Sequence, residues 1–321
     1  MKQRTLAAQS GFERYTKKTR RAEFLEEMEQ VVPWAEVCAL IEPVYPKAGQ
    51  GRPPVGVERM LRLYFLQQWF NLSDPAVEEA LYESVSLLGF VDIDLGREPV
   101  PDETTVCKFR HLLEQHQLGA RIFERVQEHL QERGLRIGTG TIVDATIVPA
   151  PSSTKNARQE RDPEMHQTRK GRQWYFGMKA HVGVDSKSKL IHAVVATPAN
   201  VADARVLPDL LHGDETRVWG DQAYRGQGRV LEECAPRAQD FTCQRYRYKD
   251  RVDEVERARE EPHEGEGAVE SGACVCGDET EVWVCKSALP GIAKNANRLF
   301  ATCALVNLFL ARKTLLGMTA A

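Results

Sequence analysis

Two aspartates stand in apolar, strand-like segments where a negative charge is unexpected. Asp144 interrupts the β-branched run 139–148, and Asp221 directly follows the short run 217–220. Aspartate is a poor strand former, and burying its carboxylate is costly unless a cation or a donor meets it. Two such positions predict carboxylates that a sheet brings together, an arrangement able to hold divalent metal against phosphate. The alternative for each is an aspartate of a turn or edge strand that faces water.

Basic and aromatic residues interleave in the segment between these aspartates. Residues 149–173 are polar, charged and aperiodic, which predicts a loop. Such a composition suits contact with a polyphosphate backbone, and a solvated surface is the alternative. The residues concerned are Lys155, Arg158, Arg161, Arg169, Lys170 and Arg172, followed by Trp174 and Tyr175.

Four further residues lie close in sequence to the predicted site. Lys179 and His181 are two apart in a strand-like run and so share one face. They either line the site, or His181 is an ordinary half-buried strand histidine. Tyr224 and Arg225 follow Asp221 within one turn, where phosphate contacts would help to place a DNA strand.

Charge and composition limit the class of protein. The 43 Lys and Arg and 46 Asp and Glu give a net charge of −3, which argues weakly against a nucleic-acid binder. However, residues 260–285 hold many acids and no Lys or Arg, so the remainder of the chain is basic. The start of the chain has no signal-peptide pattern, the apolar run 299–311 is too short to span a bilayer, and the eight cysteines are scattered. We therefore expect a cytoplasmic protein that makes no membrane contact.

The positions of the predicted elements indicate the fold. The first third is helical, with Asp74 as an N-cap before Pro75 and Asp102 capping the helix that follows it. Strands are predicted at 139–148, 175–185, 189–197 and 217–220, a helix at 201–211, and an apolar helix covering the sheet at 293–316. This order predicts an α/β RNase H-like core, a mixed sheet flanked by helices, after an N-terminal all-helical domain. The expected domains are 1–136 and 137–321.

The N-terminal domain contains a candidate DNA-recognition helix. Its first turns carry polar and basic side chains where a recognition helix would meet DNA, although an ordinary bundle helix fits equally well. The candidate contacts are Thr104, Thr105, Lys108 and Arg110.

Five stretches and a C-terminal tail resemble bacterial insertion-sequence transposases of the DDE class, in the family named after insertion sequence five. The stretches are GRPPVGVERMLRLYFLQQWF, PDETTVCKFRHLLE, TIVDATIVPAPSSTKN, YFGMKAHVGVD and WGDQAYRG, and the tail is AKNANRLFATCALVNLFLARK. The resemblance covers roughly residues 10–259 and 292–316, and its motifs are specific in combination.

The resemblance implies a function, a cofactor and partners. Two Asp and one Glu of an RNase H-like core hold two Mg²⁺ ions, with Mn²⁺ as a substitute, and Asp144 and Asp221 match the two Asp. The implied partners are double-stranded DNA, as element ends and target, and a second copy of the chain. The implied function is binding of terminal inverted repeats and Mg²⁺-dependent cleavage and transfer of DNA strands. An RNase H-like nuclease without strand transfer and a non-catalytic DNA-binding remnant are the alternatives.

The family motif R-x-x-VEH-x-F, which carries the third carboxylate, is missing. In its place, residues 260–292 are acidic, rich in Gly and Cys, and without helical period. One hypothesis is a compensated pair of single-nucleotide insertions or deletions, which puts Gly272 and Ala273 where the Glu belongs and would leave the chain inactive. Glu270 is a second candidate for that carboxylate. A third interpretation is a zinc site, although the spacing is unusual; its ligands would be His263, Cys274, Cys276 and Cys285.

Overall fold

A computed structural model of the chain describes residues 17–49, 53–135, 137–155, 159–243, 276–277, 280–281 and 289–319. The N-terminal part is helical, as predicted. Its helices are α1 (Arg20–Val31), α2 (Trp34–Ile41), α3 (Val57–Trp69), α4 (Asp74–Glu83), α5 (Val85–Val91), α6 (Glu103–Gln115) and α7 (Leu118–Glu132).

A mixed sheet follows these helices. Its strands are β1 (Gly140–Pro149), β2 (His166–Lys170), β3 (Gln173–Asp185), β4 (Ile191–Pro198), β5 (Arg217–Gly220) and β6 (Gln239–Asp240). The strand order is β2-β3-β1-β5-β6, with β4 also paired to β3. β1 is antiparallel to β3 but parallel to β5, so it is a central strand and not an edge. The predicted α/β core with a mixed sheet flanked by helices is confirmed.

Short helices and turns complete the described residues. Two single 3-10 turns, Asp203–Arg205 and Gln222–Tyr224, lie on either side of β5. The remaining elements are a 3-10 turn at Glu42–Val44, α8 (Leu207–Leu210), α9 (Gly228–Cys234), the strand pair β7 (Cys276–Gly277) and β8 (Thr280–Glu281), and α10 (Ile292–Thr319).

The C-terminal helix α10 packs against both the sheet and the N-terminal helices. One hydrophobic core includes Phe24 of α1, Ile191 of β4 and Leu305 of α10. By length and composition α10 could cross a membrane, contrary to the shorter apolar run read from the sequence, but 67% of its most apolar window is buried. Its apolar residues therefore form core, which confirms the prediction that this helix covers the sheet. The division into domains 1–136 and 137–321 stays a prediction.

Two buried asparagines fix α10 against its neighbours. Asn307 accepts a hydrogen bond from the Ile191 amide (2.8 Å) and donates one to the Ile191 carbonyl (2.7 Å). Asn297 accepts one from the Gly119 amide (2.7 Å) at the start of α7. These bonds satisfy polar backbone atoms that water cannot reach.

The substitution Asn307→Leu is expected to lower the free energy of unfolding by about 1–3 kcal/mol, because it leaves a buried backbone amide without its partner. Urea unfolding measures the change. Thr314→Leu, at an exposed position of the same helix, should change stability by less than about 0.5 kcal/mol. Equal effects of the two substitutions would show that the asparagine bonds contribute nothing specific.

Three local predictions were wrong. Ser73, not Asp74, caps α4, and Asp74 instead accepts hydrogen bonds from Gln67 and Arg110. Residues 166–170, predicted as loop, form β2, because their backbone pairs with 173–177 of β3. The predicted helix 201–211 is broken into the 3-10 turn at Asp203–Arg205 and the short helix α8, where Pro208 lies in the first turn.

His192 makes stability depend on pH. Burial, together with the neighbouring His212, lowers its pKa from 6.5 to about 4. Because the folded pKa lies below the unfolded value, the stabilisation is complete above 6.5 and is lost as pH falls toward 4. Between about pH 7 and pH 5 the chain should lose about 1–2 kcal/mol through this residue. His192→Gln should remove that part of the pH dependence in urea unfolding, and an unchanged dependence would contradict the assignment.

Candidate active site

Asp144 and Asp221 lie side by side on two parallel strands, Asp144 within β1 and Asp221 directly after the end of β5. The last paired residues of β1 and β5 are Val143 and Gly220, and each aspartate comes next in its chain. Asp144 is half-buried and faces Val182 of β3, whereas Asp221 is exposed. The sheet therefore brings together the two carboxylates that the sequence singled out.

Local sequence explains how the second strand ends at this point. A Cβ atom at Gly220 would lie 2.9 Å from Cγ2 of Val143 and 3.3 Å from the Tyr224 side chain, so glycine leaves room for these two side chains to pack at the end of β5. Asp221 then caps the turn Gln222–Tyr224 by accepting a hydrogen bond from the Ala223 amide (2.9 Å). This bond engages Oδ1 of Asp221.

The electrostatics of the pair favour a cation. Burial raises the pKa of Asp144, the adjacent Asp221 charge raises it further, and Lys170 opposes the rise. Carboxylate oxygens are the ligands that Mg²⁺ prefers, and a bound cation would offset both effects. The donor set of Asp144 and Asp221 thus fits a divalent metal.

Lys179 and His181 lie on the face of the sheet opposite Asp144, because they alternate along β3 with Val182, the cross-strand partner of Asp144. Lys179 is 9% exposed and donates to Oδ1 of Asp203 (2.7 Å) and to the Val201 carbonyl (2.9 Å). His181 is fully buried, and its Nε2 lies 2.8 Å from the hydroxyl of Thr197. Burial lowers the pKa of His181 to about 4, so it is neutral at physiological pH. In this arrangement neither side chain is available to contact DNA directly.

Of the two candidate residues after Asp221, Tyr224 is buried and Arg225 is exposed. Tyr224 is 1% exposed and belongs to a core cluster with Val143 and Val218, so it does not face a DNA strand. Burial raises the pKa of its hydroxyl, and the nearby carboxylates raise it further. Arg225 is exposed and remains a candidate phosphate contact.

The candidate recognition helix α6 has a mixed surface. Asp102 caps it, as predicted, by accepting a hydrogen bond from the Thr105 amide (2.7 Å). Thr104 and Lys108 are exposed, and Thr105 is half-buried. Arg110 forms ion pairs with Asp74 of α4 (2.9 Å) and with Glu114 of its own helix (2.8 Å), which hold its guanidinium against α4. The Arg110 side chain is therefore engaged within the protein. The side chains of Thr104, Thr105 and Lys108 are at least partly accessible to solvent.

A basic hairpin, formed by β2 and β3 around Gly171, lies near the two aspartates. Its tip exposes Arg169, Lys170 and Arg172. Trp174 is 64% exposed, and the Arg169 guanidinium lies 6.0 Å from its ring centroid. The effect of Lys170 on the Asp144 pKa connects the hairpin to the site. Lys155, in the segment after β1, is also exposed.

Asp203 is a carboxylate near the site that the sequence did not reveal. It begins the 3-10 turn after β4, which packs against the turn Gln222–Tyr224. The residue lay inside a predicted helix, so nothing in the pattern marked it. The one available signal was its place just beyond a strand that pairs with β3.

Other predicted ligands are outside the described side chains. Glu270, His263, Cys274, Cys276 and Cys285 all lie there, so the zinc hypothesis and the Glu270 assignment stay predictions. Among the described residues, Glu36, His129 and Glu132 are spaced to hold a metal. However, Arg125 already binds Glu36 (2.9 Å) and Glu132 (2.9 Å) and neutralises them.

Two protein-family models match the chain. Residues 13–112 match a family model described as a transposase domain (DUF772), and residues 136–288 match the transposase DDE domain. A solved structure of a piggyBac transposase synaptic complex with hairpin DNA is also similar, at 12% identity and a TM-score of 0.41, over 92% of this chain and 74% of that one. That likeness is distant.

The fold and the paired carboxylates define a metal-dependent phosphoryl-transfer enzyme by descent. The two matches span most of the chain and assign it to the DDE transposases of insertion sequences.

Proposed function

We propose that the chain is the transposase of a bacterial insertion sequence in the family named after insertion sequence five. It binds the terminal inverted repeats of its element and cleaves and transfers DNA strands with Mg²⁺. The observation that carries this proposal is the placement of Asp144 and Asp221 directly after the last paired residues of the neighbouring parallel strands β1 and β5. The match of residues 136–288 to the transposase DDE domain supports it.

Asp144 and Asp221 would hold two Mg²⁺ ions, for which Mn²⁺ can substitute. When bound, the ions activate the attacking oxygen and stabilise the leaving oxygen of an in-line displacement at phosphorus. Asp144 supplies a half-buried charge in surroundings of lowered dielectric, which strengthens its attraction for a cation. Asp221 orients its carboxylate through the Ala223 amide.

The basic hairpin would hold the DNA backbone beside this site. Its cations project to solvent, and the exposed Trp174 offers a face on which a base can stack. Thr104, Thr105 and Lys108 of α6, with Lys155 and Arg225, are the further proposed DNA contacts.

Replacing Arg169, Lys170 and Arg172 by glutamine together should weaken DNA binding and flatten its salt dependence. Each lost phosphate contact lowers the slope of log affinity against log salt by about 0.9. The measurement is fluorescence anisotropy of terminal-repeat DNA in EDTA, so that metal binding does not contribute. Lys313→Gln, at an exposed position of α10, is the control and should leave the slope unchanged. An unchanged slope in the triple variant would exclude the hairpin as a backbone contact.

A cleavage assay tests the proposed function. The purified chain is incubated with paired terminal repeats, target DNA and Mg²⁺. Cleavage with joining supports the transposase, cleavage alone indicates an RNase H-like nuclease, and binding alone indicates a non-catalytic remnant. We propose that the active form is a homodimer on paired ends and that it acts in the bacterial cytoplasm, at the nucleoid when bound to DNA.

The origin of residues 260–292 bears on activity. We propose that a compensated pair of frameshifts replaced the family's helix and its third carboxylate. Sequencing of codons 255–295 decides this, because shifted flanking bases would restore the motif. An uninterrupted frame in independent reads, together with homologues that carry the same protein segment, would refute it.

A further inference from the structure

The indole of Trp174 stands in solvent on the basic hairpin. It is 64% exposed, although it belongs to the long paired strand β3. Phe176 lies two residues further on the same face of this strand, and its ring packs against the hydrophobic core. Single exposed apolar side chains are common on protein surfaces, so the meaning of Trp174 depends on its neighbours.

One face of the Trp174 ring is covered by a cation. Arg169 is directly opposite Trp174 in the ladder between β2 and β3, and its guanidinium lies over the indole, 6.0 Å from the ring centroid. Nε of Arg169 donates a hydrogen bond to the Gly171 carbonyl (3.0 Å), which fixes the guanidinium at the turn. Because the ring is still 64% exposed, its other face is open to solvent.

The cations of the hairpin are available to a partner. In the part of the chain that the structure describes, Arg169, Lys170 and Arg172 form no ion pair with a carboxylate. The turn that carries them is tight, since Gly171 has a φ of 63° at its first central position. Unpaired cations around an open aromatic face combine the two features by which proteins bind single-stranded nucleic acid, attraction for phosphates and a platform for stacking.

The Trp174 ring can stack only on a base whose own face is free. Inside a DNA duplex both faces of each base are covered by its neighbours, so a base must be unpaired or flipped out to meet the ring. Trp174 alternates onto the same face of β3 as Val182, the cross-strand partner of Asp144. A base stacked on Trp174 would therefore lie on the side of the sheet from which Asp144 projects.

We propose that Trp174 is a stacking platform for an unpaired nucleobase and that the basic hairpin therefore binds locally unpaired DNA in preference to intact duplex. This inference rests on the proposed function, because it names the form of DNA that the hairpin takes. Lys170 and Arg172 hold the flanking phosphates. The preference is independent of sequence, since every base has an aromatic face.

Fluorescence anisotropy with two DNA probes in EDTA tests the proposal. One probe is a fully paired duplex of arbitrary sequence, and the other is the same duplex with one unpaired base bulged from its middle. The unmodified chain should bind the bulged probe at least about fivefold more tightly, the factor expected for one stacked base. Trp174→Ala should bind both probes equally, whereas Trp174→Phe keeps a ring and should retain most of the preference. The fluorescence of 2-aminopurine at the bulge should fall on binding to the unmodified chain but not to Trp174→Ala.

Two further variants separate stacking from charge and from exposure. Lys170→Gln/Arg172→Gln should weaken binding of both probes by the same factor, because phosphates are present in each. Tyr82→Ala removes another exposed aromatic side chain, 54% exposed on α4, and should leave the preference unchanged. The urea midpoint of Trp174→Ala should equal that of the unmodified chain, since its side chain is in solvent.

Equal affinity of the unmodified chain for the two probes, or a preference that survives Trp174→Ala, would overturn the stacking role. Metal-dependent cleavage of terminal repeats could still occur in either case, so the proposed function would stand. A change in the sedimentation of the DNA-free chain on Trp174→Ala would also overturn the inference, because the ring would then contact a second copy. Failure to bind either probe at low salt would overturn the inference together with the hairpin as a DNA contact.

Discussion

Replacing Asp144 by asparagine is expected to abolish metal-dependent DNA cleavage while the chain stays folded. Asparagine keeps the size of the side chain but removes the charge that a divalent cation requires. Loss of groups that only support a metal ligand costs about 10–100-fold, so loss of a ligand itself should exceed about 100-fold. Gel analysis of labelled terminal-repeat DNA measures the rate.

The control for this experiment is Asp209→Asn, which removes an exposed carboxylate in the same part of the chain. Its rate should equal that of the unmodified chain. The urea midpoint of the Asp144→Asn variant should not fall, because burial and the Asp221 charge raise the pKa of the carboxyl that is removed. Cleavage that persists in Asp144→Asn would refute the assignment of the site.

Asp203→Asn alone should lower the free energy of unfolding by about 3–5 kcal/mol. The change leaves the Lys179 ammonium buried beside a neutral amide, and an uncompensated buried charge is strongly destabilising. The double variant Lys179→Gln/Asp203→Asn should recover most of that loss, since it contains no charge to desolvate. Urea unfolding of the unmodified chain, of Lys179→Gln, and of these two variants completes a double-mutant cycle. The cycle gives the coupling energy between Lys179 and Asp203.

The exposed pair Arg237–Asp214 provides a comparison, with side-chain exposures of 66% and 77%. Asp214→Asn should cost less than about 1 kcal/mol because solvent screens this pair. If Asp203→Asn costs no more than Asp214→Asn, the Lys179–Asp203 pair does not fix the turn.

The two aspartates of the site could be predicted because the strand-forming residues that mark each of them are its neighbours in the sequence. A carboxylate at the end of a β-branched run is visible in the sequence, and β5 was located with its correct limits, Arg217–Gly220. That Asp144 and Asp221 would be neighbours required only that their strands be parallel and adjacent. The helix α10 was likewise visible from its apolar composition.

The surroundings of the site could not be predicted because they depend on long-range packing. Alternation placed Lys179 and His181 on one face of β3, but it could not show that the turn at Asp203 covers that face. The basic hairpin looked like a loop because its exposed residues carry the charge, while its strand character comes from pairing with β3. Arg110 looked free until its partner Asp74 was known.

A crystal structure of the chain soaked in Mn²⁺, with anomalous diffraction data, tests the central claim most directly. We predict an anomalous peak coordinated by the carboxylates of both Asp144 and Asp221. The same crystals of Asp144→Asn should lack that peak. A peak elsewhere in the molecule, or none at these two side chains at a saturating Mn²⁺ concentration, would contradict the account.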